Sequence, residues 1–161
     1  MSRPTLELVP AAVRSLRTLL EIADHVAGRG LRSEVAHTVK GLFDLLAWSD
    51  GRLDRSETAL LERLCVEVPT FGELCDLVDD YRPTDPTFGE TPKLLAAVVE
   101  HDRATGERLA PVLVAALETM GYAIIGASGA PIDVEKAELH VYVNTLRSLS
   151  RMLTTAQAAS A

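Results

Sequence analysis

The sequence predicts an all-α protein, a single compact bundle of about seven helices. Three observations carry this. Large apolar residues recur at i, i+3, i+4 and i+7 through most of the chain. No segment shows the period-two alternation of a half-buried strand. Hydrophobic residues make up 47% of the chain but aromatics only 4%, which fits a core of Leu, Val, Ala and Ile packed between helices. The length of 161 residues suits one domain with a sizeable core.

The first helix carries Val13, Leu16, Leu19, Leu20, Ala23 and Val26 on one face, with Pro10 expected in its first turn, where a missing N–H costs nothing. Gly28-Arg29-Gly30 ends it, because glycine accepts the left-handed backbone of a helix C-terminus. The second helix opens at Leu31 or Ser33, buries Val35, Val39, Leu42, Phe43 and Leu46, and stops at Ser49-Asp50-Gly51. Asp54 to Glu57 reads as a capping box for the third, in which Asp54 accepts from early N–H groups and Glu57 reaches back. Leu60, Leu61, Leu64 and Val68 form its buried face and Pro69 terminates it.

Thr70-Phe71-Gly72-Glu73 repeats the capping pattern before a short fourth helix with Leu74, Leu77 and Val78. The breaker-rich stretch from Tyr81 to Thr87 reads as a loop dividing two halves of one domain. Thr91-Pro92 starts the fifth helix, with Leu94, Leu95, Val98 and Val99 inside, and Thr105-Gly106 breaks it. The sixth places Leu109, Val112, Leu113, Ala116, Leu117, Met120, Ile124 and Ile125 on its apolar positions, with Pro111 in the first turn. Asp133 caps the seventh, which buries Leu139, Tyr142, Val143, Leu146, Leu149 and Leu153. The domain is expected to span residues 1–153, with a fraying tail over 154–161.

Charge and cysteine usage narrow the function classes. A formal net charge of -7 repels phosphate backbones and anionic bilayers alike, so no nucleic acid and no membrane surface is expected as a partner. No apolar run is read as a membrane span and no secretory leader is recognised, so the expected location is cytoplasmic. Cys65 and Cys75 are neither a CxxC pair nor a disulfide framework, and buried thiols are the ordinary outcome.

The chemistry-bearing motif is Ala47-Trp48-Ser49-Asp50-Gly51-Arg52-Leu53-Asp54-Arg55-Ser56-Glu57, an acidic turn between two apolar helices. A weaker copy, Gly126-Ala127-Ser128-Gly129-Ala130-Pro131-Ile132-Asp133-Val134-Glu135-Lys136, lies between the sixth and seventh. At an offset of 79 residues Phe43 falls on Tyr122, Leu46 on Ile125, Asp54 on Asp133 and Leu60 on Leu139, with Asp50-Gly51 and Ser128-Gly129 paired one residue out of that register. Each copy is a helix, a tight glycine turn, a hydrophobic plug and an acid-capped helix, and two such hairpins can pack around one core.

The first copy resembles the signature A-x-x-D-G-x-hydrophobic-x-x-x-E of TerB-like domains, the tellurite-resistance protein B family, over roughly Val35 to Leu153. The resemblance implies a helical domain with internal pseudo-symmetry. It also implies a non-enzymatic interaction or scaffold module in bacterial stress-response or phage-defence assemblies, with another protein such as a larger ATPase as partner. An acidic surface that takes a divalent metal is part of the same implication. Carried across, the metal-facing positions are Asp50 and Glu57, with Asp54 nearby. In the second copy Ser128 and Lys136 replace two of these, leaving Asp133 and Glu135.

The residues themselves leave two readings of the acidic turn open. Asp50-Gly51 is common turn chemistry and Asp54 with Glu57 a common cap. Alternatively Asp50, Asp54 and Glu57 hold a hard cation, Ca²⁺ or Mg²⁺, as a stress sensor. The glycine-rich second copy lacks the strand and the GK[ST] of a phosphate loop. His25, His37, His101 and His140 form no close ligand pair in sequence and read as surface or capping groups, while Glu100 to Arg103 reads as a solvated helix end. Trp48 reads as a core plug. No nucleophile and base accompany the carboxylates, so the sequence reads as a non-enzyme.

Overall fold

The computed structural model describes residues 3–48, 55–77, 92–127 and 132–160. Every regular element among them is helical, with no strand. In chain order they are α1 (Arg3–Ala27), a 3-10 turn (Gly28–Leu31), α2 (Arg32–Trp48), α3 (Arg55–Glu67), α4 (Pro69–Leu77), α5 (Lys93–Thr105), α6 (Leu109–Ala127) and α7 (Ile132–Ser160).

The core is continuous across the bundle, and its largest fully buried side chains include Leu16, Leu19, Phe43, Leu64, Phe71, Leu94, Met120 and Ile124. α6 lies at its centre, packed against α1 along its length and against α7, α5, α2 and α3. Its pairing with α1 is antiparallel. His25 near the end of α1 meets Glu107 just ahead of α6, while Leu8 near the other end lies under Gly126. The pairing with α7 is antiparallel too, since Glu118 reaches Arg147 and Tyr122 reaches His140.

α6 is also long and apolar enough, over an 18-residue window, to cross a membrane by length and composition. The expectation that no apolar run reaches that length therefore fails here. More than half of that window is buried inside the bundle, the pattern of a core helix surrounded by other helices.

Several boundaries differ from the sequence reading. α1 begins at Arg3, so Pro10 sits inside the helix and not in its first turn. α4 begins at Pro69, which takes the first helical position where its lack of an N–H is harmless. Val68 supplies the cap through its main chain: its carbonyl accepts from the Phe71 and Gly72 N–H groups at 2.9 and 3.2 Å. Thr70 to Glu73 therefore lies inside the helix and does not start it. α7 continues past Leu153 to Ser160, where a fraying tail was expected. Val112, assigned to the buried side of α6, is 46% exposed.

Candidate functional site

The acidic turn falls largely outside the described residues. Asp50 and Asp54 lie in the 49–54 segment, and Glu57 belongs to α3 with its side chain undescribed. The glycine-rich turn at 128–131 and the Trp48 and Asp133 side chains are likewise outside. Glu135, the second copy's other acidic position, is fully buried within α7.

The described residues build a different cluster, at the end of the bundle where α1 finishes and α5 turns into α6. His25 comes from the last turn of α1, His101 from near the end of α5, and Glu107 from the turn between α5 and α6. One carboxylate oxygen, Glu107 Oε1, lies 3.0 Å from Nε2 of both His25 and His101, and Oε2 lies 3.1 Å from His25 Nε2. The two imidazoles meet edge to face, with ring centroids 5.3 Å apart. Hydrogen bonds from His25 first, then His101, hold the Glu107 carboxyl below its ordinary value of 4.5.

Local sequence explains how the turn holds its shape. Gly106 adopts the left-handed conformation at φ 79° and donates its N–H to the Asp102 carbonyl, ending α5. Thr105 Oγ1 donates to the His101 carbonyl at 2.8 Å and accepts from the Glu107 N–H at 3.2 Å, tying both site residues to one hydroxyl. Asp102 then caps α6, its two oxygens accepting from the N–H groups of Leu109 at 2.9 Å and Ala110 at 2.8 Å. The stretch read as a solvated helix end, Glu100 to Arg103, lies in the last turns of α5, and it also supplies His101 to the cluster and Asp102 to the cap of α6.

On the α1 side, Arg32 forks onto Asp24 at 2.7 and 2.8 Å across the 3-10 turn. The hydrogen bond from Arg32 is the main reason that the Asp24 carboxyl sits below its ordinary value.

Two further features lie elsewhere. Cys65 on α3 and Cys75 on α4 are free thiols that lie near each other. Burial pushes both thiols up, Cys75 to about 12, so these are protonated, unreactive groups at neutral pH. The Cys75 carbonyl accepts from Lys40 Nζ at 3.0 Å, so the end of α4 is fastened to α2.

The second feature is a shallow groove of about 340 Å³ between α1 and α6. Ala11, Arg14, Ser15 and Thr18 form one wall, and Val112, Ala115, Ala116 and Thr119 the other. The outward side of α6 carries Val112, Ala115, Thr119, Tyr122 and Gly126, all exposed and all uncharged.

Comparison with protein-family models, with curated proteins and with solved structures yields no match for this chain.

Proposed function

We propose that this protein is a non-enzymatic interaction module of the TerB-like kind, serving a stress-response or defence assembly. Its partner is another protein that lays an α-helix along the α1–α6 groove. The hairpin repeat around the two glycine turns belongs to the same reading.

The observation that carries it is the uncharged outer strip of α6. Charged residues make up 24% of the chain, yet five exposed positions along this helix carry none. Desolvating such a strip carries no ionic penalty, and small residues such as Ala115 and Thr119 let a second helix approach closely. Among the described residues Arg14 is the one charged side chain lining the groove. It selects a partner helix that presents small apolar residues on one face and a carboxylate to the guanidinium.

The test places a photo-crosslinking residue at Ala115, and a second at the exposed Ala59 of α3 as control, in cells of the source organism. The expected result is a discrete adduct from position 115 alone that Arg14→Glu and Val112→Glu both abolish. Identical adducts from both positions, or an adduct indifferent to Arg14→Glu, refute the reading.

A further inference from the structure

We propose that His25, His101 and Glu107 form a binding site for a divalent transition-metal ion of the Zn(II) class. The site is distinct from the acidic turn and from the α1–α6 groove, and it stands independently of the interaction reading.

Three ligand atoms of suitable chemistry converge from three separate segments, and no two lie more than 4.8 Å apart. Metal–ligand bonds of about 2.0–2.1 Å in a tetrahedron place neighbouring ligand atoms roughly 3.3 Å apart. The two nitrogen–oxygen separations of 3.0 Å are already within a few tenths of that edge. Only the His25–His101 edge has to close, and side-chain rotation can do it. The His25 side chain is 56% exposed and Glu107 40%, so both can rotate, whereas His101 at 18% is the fixed ligand.

The surroundings support coordination as well as the present hydrogen bonding. The Thr105 hydroxyl holds the His101 and Glu107 backbones in register, and the Asp102 cap fixes the start of α6 behind them. Without metal, each Nε2–H can donate to the carboxylate. On binding, each imidazole keeps one proton, on Nδ1, and both Nε2 lone pairs turn to the ion while Glu107 supplies one negative charge. No proton need leave a neutral histidine; it changes nitrogen.

The donor set chooses the metal. Two imidazole nitrogens and one carboxylate suit Zn(II), Co(II), Ni(II) or Cu(II), whereas Ca²⁺ and Mg²⁺ prefer all-oxygen sites. Three protein ligands leave a fourth position facing solvent for water.

The experiment titrates Co(II), then Zn(II), into the tag-free full chain, following the cobalt visible spectrum and the histidine ¹⁵N resonances. The expected result is one equivalent bound, a d–d spectrum with no thiolate-to-cobalt band, and shifts confined to His25 and His101. His101→Gln, His25→Gln and Glu107→Gln should each weaken binding at least about tenfold, while Asp50→Asn with Glu57→Gln leaves it unchanged. His25 and Glu107 are exposed, so those two variants report on binding even where His101→Gln disturbs the fold. No binding at millimolar Co(II) or Zn(II), a thiolate band, shifts of His37 or His140 in place of these two, or equal affinity in His25→Gln and Glu107→Gln, each overturns the proposal.

Discussion

The crossing of α6 and α7 makes the sharpest claim about packing. A methyl group built at Gly121 lies 2.4 Å from Leu139 Cδ1, 2.9 Å from Cδ2 and 3.2 Å from Cγ. Leu139 is fully buried, so its side chain has no open space to turn into. On propensity alone, Gly121→Ala inside a helix should stabilise by about 0.8–1.0 kcal/mol. Overpacking a filled core costs about 1–3 kcal/mol. With contact reaching Cγ, the clash should win, leaving a net destabilisation of about 1 kcal/mol. Leu139→Ala alone should cost about 2–5 kcal/mol, because it opens a cavity at a fully buried site. The double variant should cost less than the sum, with a coupling of about 0.5–3 kcal/mol, since the new methyl then occupies part of the vacated space. Urea unfolding followed by far-ultraviolet circular dichroism gives all four corners of the cycle if the transition is two-state. In a domain of this size each kcal/mol should also move Tm by about 2–4 °C. A stabilised Gly121→Ala whose effect simply adds to that of Leu139→Ala would refute the close α6–α7 crossing.

Three other perturbations test the α5–α6 turn and the ion pairs. Asp102→Ala removes two capping bonds from the start of α6 and should cost about 0.5–2 kcal/mol in urea unfolding; a neutral result would remove Asp102 from the capping role. Gly106→Ala forces a Cβ into the left-handed region at φ 79° and should cost about 1–2 kcal/mol, while Gly30→Ala, where φ is not positive and nothing lies within 4 Å, should be nearly neutral in the same assay. Glu107 and Asp24 are held below their ordinary values of 4.5 and 3.8, so the unfolded chain binds more protons and their contribution is complete only above those values. It is lost as pH falls through the lower folded values. Urea midpoints should therefore drop on acidification through that window, less steeply in Arg32→Gln, which removes the main cause of the Asp24 shift; an unchanged slope in that variant would contradict the pair.

Where one face of a helix is apolar, the sequence reveals what is buried. The stripes Val35, Val39, Leu42, Phe43, Leu46 on α2 and Leu94, Leu95, Val98, Val99 on α5 are core in the structure because a 3.6-residue period leaves no other side for them. α6 defeats the same logic. It is apolar nearly all round, so period alone cannot say which side is outward, and Val112 is misplaced for that reason. The better signal was the run of small or weakly polar residues, Ala115, Thr119, Tyr122 and Gly126, at helical spacing. Pro69 reads in sequence as a stop but serves as a start, because a proline suits either side of a helix boundary and only the Val68 main chain decides between them.

The histidine cluster was not legible in the sequence. His25 stands 82 residues from Glu107, and no local spacing rule links an α1 residue to the α5–α6 turn. The one local trace is that His101 and Glu107 flank Thr105-Gly106, the residues that end α5. The two segments that align in sequence pack differently. α6 and α7 lie directly against each other, while the described parts of α2 and α3 pack chiefly on other helices. The sequence pattern alone does not say which partner each helix finds.

The two proposed surfaces belong to one pair of helices. α1 and α6 form the walls of the groove, and His25 and Glu107 stand at the end of that pair, where α1 finishes and the chain enters α6. From Thr18 to His25 along α1 is about 10 Å at the helical rise of 1.5 Å per residue. A metal held by His25, His101 and Glu107 would clamp the ends of both walls at that distance from the groove. The present hydrogen bonds to Glu107 already make the same bridge, more weakly. If the clamp changes how α1 sits on α6, linkage requires that a helix in the groove change the affinity for metal by the same factor. If the walls are already fixed by the buried contacts of Leu16, Leu19, Met120 and Ile124, the two sites are independent neighbours. The continuous core between them favours independence, because a close-packed interface transmits a shift only where it has a second arrangement to move to.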